Sequence, residues 1–282
     1  MSTQAPIDPA TGEVLPADSP AARKPSRLAK FWRTYGLALL FVLFMLGMWQ
    51  LIMWALNVPN YLFASPSQIV VSFKDDWSTI LWPATWVSSR EVLIGFAISV
   101  VFGIGIAVLL HMFGPLRRAV YPLLISSQTI PIVVIAPILV ILLGFGILPK
   151  LVIVALICFF PIVVNGLDGL RSVDDDFIRM MKTLDASRWA IFKRIEFPAA
   201  LPSIFSGMRI AATFAAIGAV FGEYAGANGG LGYVIQEATP NLQTARIFAA
   251  IMILTLIALL LFGLVSLLER LLVPWAVKGN TI

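Results

Sequence analysis

Charge is what this sequence has least of. Only 12% of its 282 residues are Asp, Glu, Lys or Arg, where soluble globular domains carry roughly 25%. A chain so poor in charge cannot cover a folded surface with water-binding groups. Its mean hydropathy of +0.92 makes lipid the solvent for most of it. An ordinary soluble enzyme and a nucleic-acid binder are excluded on that ground. Cysteine is nearly absent too: Cys158 stands alone in an apolar run, so no internal disulfide can form. Histidine occurs once, at position 111, which leaves no Ser/His/Asp set, and the chain has no HExxH, no CxxC and no G-x-x-x-x-G-K-S/T loop to cradle nucleotide phosphates. No metal, cofactor or catalytic residue is therefore expected. If this chain drives uphill transport, the energy must come from another protein.

What is present is a series of long apolar runs. They lie at 35–56, 92–113, 119–145, 151–168, 203–225 and 246–268, each long enough as a helix to cross about 30 Å of hydrocarbon at about 1.5 Å per residue. The expected fold is thus all-α, with six transmembrane helices. Residues 1–30, rich in Pro, Ser and Ala with almost no bulky apolar side chain, read as a disordered tail, and 31–282 as one membrane domain. The first run exceeds the usual signal-peptide core of roughly 7–15 residues and reads as a retained span. With the N-terminus inside, 15 of the 20 basic residues fall on the inner side and four on the outer. That bias places both termini in the cytoplasm and accounts for the basic balance of the chain.

Polar and small residues mark the places where the spans do more than face lipid. Gly95, Ser99, Gly103 and Ala107, and again Gly207, Ala211, Ala215 and Ala219, recur every four residues and form shallow ridges for close helix packing. The next step along the second ridge is Glu223, at the outer end. In the third run Ser126, Ser127, Gln128 and Thr129 stand just before Pro131. Polar groups beside a proline break either line a cavity or cap the carbonyls that the proline frees. Glu91, His111, Asp168, Arg209, Glu223 and Glu269 all sit near span ends, so no relay of ionisable groups crosses the bilayer centre as an ion-coupled carrier would need.

The longest inner loop, 171–200, is amphipathic in pieces. Asp174 to Asp176 suit a helix start, Phe177, Met181 and Leu184 form an apolar stripe, and Ser187 can cap a second short helix carrying Ile191, Phe192 and Ile195, which Pro198 and Pro202 would end. Composition alone fits either a helix lying on acidic lipid headgroups or a docking knob for a cytoplasmic partner.

The run TLDASRW at 183–189, the spacing Ile195-x-x-Pro198 and the stretch PAALPSIFSGMRIA at 198–211 resemble the cytoplasmic loop of permease subunits of binding-protein-dependent ABC importers, whose pattern is E-A-A-x3-G-x9-I-x-L-P. Aligned on Ile195 and Pro198, Arg179, Met180 and Met181 replace Glu-Ala-Ala, Asp185 replaces the glycine and Phe197 the leucine. The resemblance spans 90–275 and is to the nitrate/sulfonate/taurine branch. SSQTIPIVVIAP (126–137), GFGILPK (144–150), FFPIVVNGLDGL (159–170) and IGAVFGEYAGANGGLGY (217–233) look most like permeases for thiamine-pyrimidine precursors or riboflavin.

The resemblance implies a type I ABC importer permease fold and a non-enzymatic subunit of the inner or plasma membrane. Its partners would be cytoplasmic ATPase subunits, a binding protein on the outer face, a second permease copy (a homodimer) and membrane lipid, with no nucleic acid. Met180, Met181, Thr183, Leu184, Asp185, Ala186, Ser187, Arg188, Ile195 and Pro198 would couple to the ATPase. Gln128, Thr129, Asn165 and Glu223 are candidates for the translocation path, and Gly226, Asn228, Gly229, Gly230 and Gly232 for an outer gate. The cargo would be a thiamine-pyrimidine precursor or similar heterocycle, with nitrate, taurine or another sulfonate, or riboflavin as alternatives within the family. A self-sufficient channel or ion-coupled carrier is the competing class.

Overall fold

The computed structural model describes residues 27–226 and 228–277, and every described element is helical. The chain divides at residues 57 and 58 into two compact units. The first contributes α1 (Arg27–Ala55), whose segment Gly36–Ala55 is long and apolar enough to cross a membrane. Of the expected tail, residues 1–26 lie outside the described residues, and α1 already begins at Arg27.

The second unit holds the remaining helices. α2 (Pro66–Asp76) runs through a π-helical turn, Trp77–Leu81, into α3 (Trp82–Met112). α4 (Gly114–Ser127) and α5 (Ile132–Leu143) follow, then α6 (Ile147–Leu170). The 171–200 loop forms α7 (Asp175–Thr183) and α8 (Arg188–Ile191), and a second π-helical turn, Phe192–Glu196, leads into α9 (Phe197–Gly226). α10 (Leu231–Ala238), α11 (Thr244–Leu272) and α12 (Pro274–Val277) complete the described chain.

Five helical stretches among the described residues can span a membrane, and the sixth span is corrected in form. The 119–145 run is not one straight helix: α4 and α5 meet at 101° around residues 128–131. Pro131 lacks the N–H that would continue α4 and holds the chain extended at ψ 121° before α5 begins. A second correction concerns Pro198 and Pro202, which do not end the short helix after Ser187. The π-turn lets the Phe197 N–H reach the Phe192 carbonyl, and helix continues through Pro198 in the first turn of α9 and Pro202 within it. The same device precedes Pro83, where the Trp82 N–H reaches the Trp77 carbonyl.

α6 is the hub, packed against α3, α5 and α9. The small-residue ridges explain why it can be. A Cβ on Gly95 would lie 2.6 Å from the Val154 side chain, one on Gly103 2.8 Å from Ile162, and one on Gly207 2.6 Å from the Pro161 carbonyl. Ala211, Ala215 and Ala219 are fully buried along the same contact. Both ridges therefore seat α6 between α3 and α9, the close packing that membrane helices achieve with small residues.

Candidate functional site

Chemistry gathers at the two ends of this α3, α6, α9 core. One end carries the 171–200 loop. Asp174 caps α7 by accepting from the Asp176 N–H at 2.8 Å, and Ser187 caps α8 by accepting from the Ala190 N–H at 3.2 Å. Between them α7 closes with the Asp185 N–H bonded to the Lys182 carbonyl and the Ala186 N–H to the Met181 carbonyl, both at 3.1 Å. This paired closure requires a left-handed residue after the helix, normally glycine. Asp185 takes that role at φ 54°. Asp is among the few side chains that visit this region readily, so the replacement keeps the loop geometry at a cost of about 1 kcal/mol.

The caps leave several apolar side chains largely exposed among the described residues. α7 has no buried residue, and Phe177, Met180, Leu184 and Trp189 are all more than half exposed. The loop is nonetheless tied firmly to the core. Glu196, in the π-turn and almost wholly buried, accepts from Arg188 Nη1 at 3.1 Å, and its other oxygen lies 2.9 Å from His111 Nε2 at the end of α3. Ile191 and Phe192 are buried beside it, as their place in the amphipathic pattern suggests.

The opposite end holds a buried polar cluster that sequence reading dispersed over separate span ends. Glu223 of α9 accepts from the Ser88 hydroxyl of α3 at 2.5 Å and from the Gly232 N–H of α10 at 2.5 Å. Ser88 in turn accepts from the Leu231 N–H at 2.8 Å. Lys150 of α6 donates to Glu91 of α3 at 2.7 Å, and the Glu91 and Glu223 carboxyl groups face one another. All four side chains are buried. Lys150 and Ser88 escaped the sequence reading. Their signal was there: Glu91 and Lys150 are opposite charges bordering the 92–113 and 151–168 runs, and so fall at one depth.

The other sequence candidates separate. Ser126, Ser127 and Thr129 donate to the Pro122, Leu124 and Ser126 carbonyls at 2.7 to 2.9 Å, capping the end of α4, while Gln128 is exposed at the bend. Asn165 donates to the Pro161 carbonyl at 2.8 Å and lies against Gly207, between α6 and α9. Of the gate residues, Gly226 ends α9, Asn228 is exposed, and Gly230 and Gly232 lie on Glu223.

Residues 99–276 match the family model described as binding-protein-dependent transport system inner membrane component. The chain is 38% identical over 239 residues to the formylaminopyrimidine transport permease protein ThiX of Halalkalibacterium halodurans, covering 85% of this chain and 95% of the relative. It is 34% identical over 258 residues to the riboflavin transport system permease protein RibX of Chloroflexus aurantiacus, covering 91% and 95%. Among solved structures it resembles the MetNI methionine ABC transporter in an inward-facing conformation, with a TM-score of 0.59 at 18% identity over 66% of this chain and 93% of that one. An all-helical fold of this class, membrane-spanning helices without a nucleotide loop, and the match over 99–276 converge: the chain belongs to the inner-membrane permease family of binding-protein-dependent transport systems, as the non-enzymatic membrane subunit of an ABC importer.

Proposed function

We propose that this chain forms the membrane pathway for a small heterocycle, a thiamine-pyrimidine precursor, handed over by a binding protein on the outer face and moved by ATPase subunits on the inner face. The observation that carries the cargo class is the 38% identity to a formylaminopyrimidine permease across 95% of that protein. Riboflavin is the second reading, favoured by the 34% identity to a riboflavin permease over the same share of its length. Purifying the binding protein that accompanies this permease and titrating it with formylaminopyrimidine, riboflavin, taurine and nitrate decides between them. Saturable binding of the pyrimidine alone supports the first reading, and binding of riboflavin alone replaces it with the second.

Within that function the 171–200 loop is the ATPase contact. Met180, Leu184 and Trp189 supply exposed apolar surface for a groove on the ATPase, and the capped turn at 183–188 fixes their spacing. The positive-inside bias puts this loop and both termini in the cytoplasm. α4 has no buried residue, and Ile141 and Leu142 of α5 are largely exposed. This bent pair is the surface offered to a second copy of the chain, with Gln128 and Thr129 brought to the pathway between the copies. Asn165 and Glu223 complete the candidate path residues, and 226–232 is the outer gate. Replacing Gln128 with Leu should change the KM or maximal rate of uptake in the assembled transporter, and unchanged kinetics would remove it from the path.

A further inference from the structure

A glycine-rich loop suggests mobility, yet here two glycines serve close contact. Gly230 stands at φ 111°, and a Cβ there would fall on the Glu223 carboxyl group. A Cβ on Gly232 would lie 2.7 Å from Glu223 Oε2 and 3.0 Å from the Val220 Cα. Gly222 works from the other side, since its Cβ would lie 3.0 Å from the Lys150 Cα. Only glycine lets α6, α9 and the start of α10 converge on one carboxylate. Gly229, by contrast, has open space around it.

We propose that Ser88, Glu91, Lys150 and Glu223 are positioning residues that latch the outer loop: Glu223 grips the start of α10, Ser88 ties that grip to α3, and the Glu91–Lys150 pair ties it to α6. The latch rests on the reading of 226–232 as the outer gate. Its chemistry suits a contact that must open. Buried ion pairs gain little net stability, because desolvation offsets their attraction, so water entering an open gate compensates the bonds that break. The cluster holds two facing carboxyl groups for one ammonium, Glu91 and Glu223 against Lys150, so it is held by a few polar contacts that water can replace. Closed and open gates can then lie close in free energy, and α3, α6 and α9, which reach the ATPase end, can decide between them.

The test uses the single-cysteine background that the chain already has. Cys158 is fully buried, with its thiol directed at the Ala211 carbonyl, and is silent to aqueous reagents. Asn228→Cys reports the gate through its rate of reaction with a membrane-impermeant maleimide, in the assembled transporter in lipid, with and without ATP and the binding protein. The expected result is slow labelling at rest, faster labelling when nucleotide is bound, and a resting rate raised about tenfold by Glu223→Gln, Ser88→Ala or Lys150→Met, the loss of one charge-assisted hydrogen bond. Adding Glu91→Gln to Lys150→Met removes the stranded charge and should return the rate toward wild type, which a purely packing role for Lys150 would not produce. Retained ATPase assembly controls for folding, and the milder Ser88→Ala carries the test if the charge variants do not assemble. Wild-type labelling that ignores nucleotide overturns the gate reading and the latch with it. Labelling that responds to nucleotide but is unmoved by these variants overturns the latch alone.

Discussion

Two single residues show how backbone geometry selects a side chain at opposite ends of the molecule. Gly230 needs both its positive φ and its missing Cβ, whereas Gly229 needs neither. Gly230→Ala should therefore cost at least about 2 kcal/mol, from the left-handed strain and the displaced Glu223. In a thermal unfolding assay on the purified chain this would lower Tm by several degrees, while Gly229→Ala should leave it unchanged. At the opposite end Asp185 occupies a left-handed position that the family pattern fills with glycine. Asp185→Gly should preserve or slightly raise loop stability, and Asp185→Val should lose about 1 to 2 kcal/mol there. ATPase pull-down reads the difference: retention by the Gly variant and a roughly tenfold weaker association for the Val variant. The Asp185 position was legible in the sequence through its resemblance to the importer-permease loop pattern, aligned on Ile195 and Pro198. That Gly230 and Gly232 serve contact was not, because their partner Glu223 meets them only when α9 and α10 fold back on one another.

Elements would carry the proposed coupling. The two π-turns each end two residues before a proline, at Leu81 before Pro83 and at Glu196 before Pro198, and each keeps a helix continuous where proline alone would suggest a stop. This is why sequence reading ended the loop helix at Pro198: it weighed the missing donor without the register shift that absorbs it. The caps at Asp174 and Ser187 and the buried side of Ile191 and Phe192 were readable, since they depend on neighbours within one turn. The link of Arg188 and Glu196 to His111 was not, as it joins residues 77 and 85 positions apart in sequence. Function should divide along these elements. Leu184→Asp or Ala186→Arg should abolish ATPase retention in a pull-down. Glu196→Gln should retain the ATPase but reduce uptake several-fold, because it weakens the tie from loop to α3 without touching the exposed surface. If the Glu196 variant transports normally, the loop communicates through α9 alone.

For the whole molecule, the scarcity of charge and the spacing of apolar runs were enough to read an all-helical membrane fold, while the importer-permease loop was read from its resemblance to the family pattern. The break before Pro131 was legible in its proline, but the 101° between α4 and α5 was not, because composition measures length and apolarity but not direction. The buried charges among the described residues stand where helices meet, at Glu91, Lys150 and Glu223 at one end and Glu196 at the other. A core of close-packed helices joins these ends, the path along which the proposed coupling would run. The most direct measurement is uptake into proteoliposomes holding this chain, with the ATPase subunits, the binding protein and ATP supplied or withheld one at a time. Uptake only when all are present is the predicted result, and cargo flux through the chain alone, without ATP, would contradict it.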